Sequence, residues 1–91
     1  MTTYEFELAA KNAILEHMRT NHGLDYELAD VQVVWMAHVL GFKKAIMIIS
    51  GDKFAVMFEV TYNREKNEMY LDEYFKNSNT VILPGKFRMS E

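Results

Sequence analysis

The hydrophobic period of this chain changes once, at Val31, and that change constrains the fold more than any single motif. Before it, Phe6, Ala10, Ala13, Ile14, His17 and Met18 recur at three- and four-residue spacing, which predicts one face of a helix over about residues 3–21. Thr2 followed by Glu5 has capping-box spacing, with the hydroxyl serving one free amide and the carboxylate another. Glu5 and Glu7 lie at the positive end of the helix dipole, His17, Arg19 and His22 at the negative end, and Gly23 supplies a left-handed stop. Leu24 to Asp30 reads as a connector holding one helical turn begun by Asp25.

After Val31 the period is two. Strands are expected over about residues 31–40, 43–50, 54–62 and 68–76, with a short edge strand at 80–83 and a loose tail at 86–91. In the first, Val31, Val33, Trp35, Ala37 and Val39 fall on one face, and Gln32, Val34, Met36, His38 and Leu40 on the other. The second is apolar on both faces, which suits a central position. Ser50-Gly51-Asp52-Lys53 is a hairpin signal. In the third, Phe54, Val56, Phe58, Val60 and Tyr62 alternate with Ala55, Met57, Glu59 and Thr61. In the fourth, Met69, Leu71 and Phe75 alternate with Tyr70, Asp72 and Tyr74. Every connection from Leu40 onward is short enough for a hairpin, so no parallel crossover is needed. The expected fold is α+β: one N-terminal helix packed on a four- to five-stranded antiparallel meander, a single domain over 1–91. One helix covers one face of such a sheet, and the other is wet or used.

Composition narrows the chemistry. Among the 91 residues there is no cysteine, so disulfides, thiolate zinc sites and cysteine nucleophiles are excluded. The net charge of −3 has the wrong sign for strong generic binding of nucleic acid. The start Met1–Glu5 is acidic and no apolar run follows a basic stretch, so no secretory leader is expected. The run Val31–Phe42 is too short to span a bilayer. The three serines stand in no G-x-S-x-G context, and there is no P-loop or G-x-G-x-x-G. Glu59 and Asp72 form a conceivable carboxylate pair, but a small meander seldom builds the deep cleft that glycosidase chemistry needs. His17 and His22 are five apart, ~140° around a helix. They read as complements to the helix C-terminus, and His38 as a half-exposed strand residue. No catalytic, cofactor or metal site is therefore expected.

The segments Val31-Gln-Val-Val-Trp35, Lys44-Ala45, Phe58-Glu-Val-Thr-Tyr-Asn63, Lys66, Glu68-Met-Tyr-Leu-Asp72 and Tyr74 resemble a family of small uncharacterised proteins encoded by phages and prophages of Gram-positive bacteria. The resemblance runs from the helix to about Asn79. Phe58 stands where that family often has tyrosine. It implies a phage or prophage accessory gene acting in the bacterial cytoplasm, and it implies no catalytic residues. The helix-plus-meander plan is also loosely similar to cystatin-like or PepSY-like domains, an analogy of fold alone.

Tyrosine combines large contact area with low entropy cost and is enriched at interfaces. Tyr62, Tyr70, Asp72, Glu73 and Tyr74 are accordingly the partner-binding candidates: an acidic, tyrosine-bearing surface suited to a basic protein. The function expected is non-enzymatic binding of a host protein, such as inhibition of a CRISPR nuclease or another defence system. The alternative is a small nucleic-acid- or nucleotide-binding module built on the same aromatics. Its basic partners Lys43, Lys44, Lys53, Arg64 and Lys66 are sparse and lie near strand ends. A homodimer is a further way to bury the uncovered face or an unpaired edge.

Overall fold

The computed structural model describes residues 1–51 and 55–86; of Ala55 and Val56 the backbone alone is described. Helix α1 spans Thr3–His22, and four strands follow: β1 Val31–Val39, β2 Phe42–Ile49, β3 Ala55–Asn63 and β4 Glu68–Phe75. They form one antiparallel sheet in the order β1-β2-β3-β4, the α+β meander the period change predicts. Short 3-10 turns occur at Leu28–Asp30 and Pro84–Lys86. The first is capped from Glu27, whose N–H donates to Asp30 Oδ2 at 2.8 Å, two residues later than the expected start at Asp25. The edge strand expected at 80–83 does not form, and Val81, Ile82 and Leu83 are exposed. The expected placements of Phe54, Lys53 and residues 87–91 of the tail lie outside the described residues.

Local chemistry sets both ends of α1. Glu5 N–H donates to Thr2 Oγ1 at 3.1 Å, and Thr2 N–H donates to Glu5 Oε1 at 2.8 Å, completing the capping box. These bonds to Thr2 hold the Glu5 carboxyl below its ordinary value. Gly23, with φ 66°, donates to Arg19 O, and Leu24 N–H reaches back to Met18 O. This double closure satisfies the last carbonyls and needs a left-handed residue.

The core lies between α1 and one face of the sheet. Phe6, Ala10, Ile14 and Met18 meet Val31 of β1, Ala45, Met47 and Ile49 of β2, and Phe58, Val60 and Tyr62 of β3, all buried. Tyr62 is admitted because its hydroxyl donates to Asn67 Oδ1 at 2.9 Å.

One register shift changes which residues that core receives. β1 pairs regularly with β2 at Val31↔Ile49, Gln32↔Ile48 and Val33↔Met47, then resumes at Trp35↔Ile46, skipping Val34. This is a β-bulge: two residues oppose one, and alternation is inverted beyond it. Val31 and Val33 therefore point toward α1, whereas Trp35, Ala37 and Val39 pair with Ile46, Lys44 and Phe42 on the opposite face. The single apolar face expected for Val31 to Val39 is split in two. Trp35 is 49% exposed and is not a core residue.

Candidate surface on the open sheet face

No described element covers the second face of the sheet, and large side chains stand on it half-exposed: Trp35, Phe42, Ile48, Tyr70 and Tyr74. Strand pairing places the residues in rows. Trp35, Ile46, Glu59 and Asp72 form one row across all four strands, and Ala37, Lys44, Thr61 and Tyr70 form the next. Lys44 Nζ meets Glu59 Oε1 at 2.8 Å, and this hydrogen bond raises the lysine above its ordinary value, with smaller contributions from Tyr74 and Asp72. Tyr70 donates its hydroxyl to Glu68 Oε2 at 2.6 Å, which pushes the phenol up. The face is thus apolar toward β1 and β2, and acidic and tyrosine-bearing toward β4.

The turn joining β1 to β2 is the most unusual backbone of this surface. Leu40 (φ 47°) and Gly41 (φ 85°) both lie in the left-handed region, as a two-residue hairpin turn requires. Asparagine, aspartate or glycine suits the first of these positions, and a leucine there is strained by ~1–2 kcal/mol. Leu40 is also 94% exposed. Burial does not explain it and turn chemistry opposes it. Its side chain lines a hollow of about 480 Å³ with Trp35, Ala37, Val39, Phe42, Lys44 and Thr61.

The five sequence candidates divide between the two faces. Tyr70, Asp72 and Tyr74 share the open face, as β4 alternation predicts. Tyr62 does not: it is buried beneath α1, in register with Met69. Glu73 does not either. It shares the side of β4 held by Met69 and Leu71, and its carboxylate meets two histidines of α1, His17 Nε2 at 3.1 Å and His22 Nε2 at 2.8 Å. Sequence reasoning missed Trp35, Leu40 and Phe42 as surface residues. The signal for Leu40 was present, a leucine where a tight Leu-Gly turn favours asparagine. The parity of Glu73 with Met69 and Leu71 was likewise legible.

Of the basic residues expected to escort nucleic acid, Lys44 stands on this face and Lys43 does not. Lys43 is buried on the covered side with its Nζ 3.4 Å from His38 Nδ1, and Lys44 is engaged by Glu59. Glu59 and Asp72 are cross-strand neighbours, as the sequence suggests, on an open surface rather than in a cleft. No helix among the described residues is long and apolar enough to cross a membrane.

Residues 7–83 match the profile of a family described as being of unknown function, DUF6275. No curated protein and no solved structure matches the chain significantly.

Proposed function

The chain belongs to the DUF6275 family, a family of unknown function, and on that premise we propose that it is a non-enzymatic phage or prophage accessory protein whose open sheet face binds a host protein. The observation that carries this reading is Leu40, an exposed leucine held in a strained turn beside an apolar hollow. Strain at an exposed side chain that packs nothing is retained where the side chain has work to do outside the chain. Leu40, Trp35 and Phe42 would form the desolvated centre of the contact, where aromatic anchors dominate binding energy. Glu59, Glu68, Asp72, Tyr70 and Tyr74 would form its acidic flank. The matching partner is a basic protein surface studded with apolar side chains. A nuclease of a bacterial defence system, a CRISPR effector among them, offers such a surface where its nucleic acid would otherwise lie. Occupying that surface is the role we assign. The phage origin and cytoplasmic setting rest on the resemblance of the VVW, EVTYN and MYLDEY segments to phage-encoded proteins. A nucleic-acid-binding module is the second reading, and the carboxylates among the tyrosines weigh against it.

The test uses immobilised wild type, Leu40→Asn, and the double variant Tyr70→Ala/Asp72→Ala, each exposed to host lysate with mass-spectrometric identification. Wild type is expected to retain a basic host protein that both variants lose. Leu40→Asn is expected to melt no lower than wild type, because asparagine tolerates the left-handed turn, so its loss of binding cannot be attributed to unfolding. Equal retention by all three would move the contact off this face. Salt-sensitive capture of a single-stranded oligonucleotide, with no protein retained, would replace the proposal with the second reading. A stable dimer that Leu40→Asn dissociates, seen by light scattering, would make a second copy the occupant.

A further inference from the structure

On the opposite side of the sheet, we infer that His17, His22 and Glu73 form a zinc-binding site that clamps the C-terminal end of α1 to β4. One donor atom from each residue lies within 4.8 Å of the other two. Glu73 Oε1 is 3.1 Å from His17 Nε2, and Oε2 is 2.8 Å from His22 Nε2. Tetrahedral zinc with bonds of ~2.0–2.1 Å sets its ligand atoms ~3.3 Å apart, so each histidine–carboxylate contact opens by a few tenths of an ångström while the three donors, now within 4.8 Å of one another, draw in around the ion. Two imidazoles and one carboxylate, with water completing the tetrahedron, is an established zinc donor set, whereas magnesium and calcium call for oxygen alone.

The surroundings support a ligand role. His17 and Glu73 are partly buried, with side chains 23% and 14% exposed, and His22 stands at the exposed rim with its side chain 30% exposed. Phe58 meets the His17 ring edge-on at 6.3 Å, and Phe75 meets the His22 ring at 6.1 Å, giving the site an apolar wall. Asn21 Nδ2 lies 2.9 Å from His17 Nδ1. A metal-bound imidazole ordinarily offers its other nitrogen to a hydrogen-bond partner. Asn21 serves in either state: its amide N–H donates to Nδ1 while Nε2–H serves Glu73. After rotation its carbonyl accepts from Nδ1–H when Nε2 holds the metal. A hollow along Ala13, Glu16, Thr20 and Leu71 adjoins His17 and leaves an approach for the fourth ligand. The site is independent of the open face and of the function proposed for it.

Untagged protein titrated with Zn²⁺ by calorimetry is expected to bind one equivalent, and Mg²⁺ none. Zinc at a 100-fold excess over its Kd should raise Tm by about 10 °C or more. His17→Ala, His22→Ala and Glu73→Gln should each weaken binding at least about tenfold, while His38→Ala should not. His22 closes the helix at its exposed end, so His22→Ala keeps the comparison valid if the other two variants fold poorly. Co²⁺ substitution should give the visible d–d bands of tetrahedral coordination in wild type and not in His22→Ala. Absence of both heat and stabilisation with zinc would overturn the inference. So would a His22→Ala protein that binds as wild type does. In either case the cluster would be a hydrogen-bonded tether and nothing more.

Discussion

Deleting Val34 is expected to leave the sheet and its register standing. Val33 pairs with Met47 and Trp35 with Ile46, so removing the residue between them joins two segments whose partners are already adjacent on β2. The loss is then Val34 itself, which is 58% exposed. Full burial of a valine is worth ~1.5 kcal/mol at the low end of the aliphatic range, so burial of about two-fifths amounts to ~0.6 kcal/mol. Allowing for some change of local twist as the bulge is removed, the cost is ~1 kcal/mol, a fall in Tm of ~4–8 °C for a domain of this size. If β1 alternated regularly, the same deletion would carry Trp35, Ala37 and Val39 from one face to the other. The displaced burial would then exceed ~3 kcal/mol, a large share of the ~5–14 kcal/mol available to such a chain. Trp35 is the only tryptophan, so its emission and its quenching by iodide report this one position. Wild type and the deletion should both show an accessible indole and unfold cooperatively in urea at similar midpoints. A blue-shifted, quencher-protected tryptophan in wild type would refute the bulge, as would a deletion costing more than ~3 kcal/mol.

Two further outcomes follow from the packing. Phe58 of β3 is fully buried in the core between α1 and the sheet, and Phe58→Ala should cost ~3–5 kcal/mol, measured as a shift in the urea midpoint at unchanged m. A cost below ~1 kcal/mol would contradict its place in the core. Thr2→Ala removes the capping hydroxyl and should lower Tm by ~4–8 °C at neutral pH. The folded chain lowers the Glu5 carboxyl, so its stabilisation is fully present above the ordinary glutamate value and is lost as pH falls through the lowered one. The difference between wild type and Glu5→Gln should therefore narrow in acid, and a gap that widens there would refute the capping-box account.

Much of the fold was legible because its signals are local. The caps of α1 use residues three or four apart, and the strands announce themselves by alternation over eight or nine residues. Tyr70, Asp72 and Tyr74 were placed on one face by that alternation alone. Trp35 was misplaced because a bulge leaves no strong mark when the extra residue is another valine within Val33-Val34. Tyr62 was misread because its hydroxyl partner, Asn67, lies across the β3–β4 turn and supplies the hydrogen bond that lets it be buried. Two histidines far apart around a helix did not read as a pair, because the sequence spacing does not include the strand that reaches between them.

The amino-acid sequence by itself determined that this chain makes one capped helix and then an antiparallel meander, because helix and strand periods are written in neighbouring residues. Only the tertiary structure decided which side chains share a face. The skipped pairing at Val34 inverts half of β1 and turns Trp35 away from the core. The packing of α1 brings Glu73 to His17 and His22 across separations of 56 and 51 residues. Contacts at that distance depend on how elements dock, and docking is settled by the burial of Phe6, Ile14, Met18 and Phe58 together.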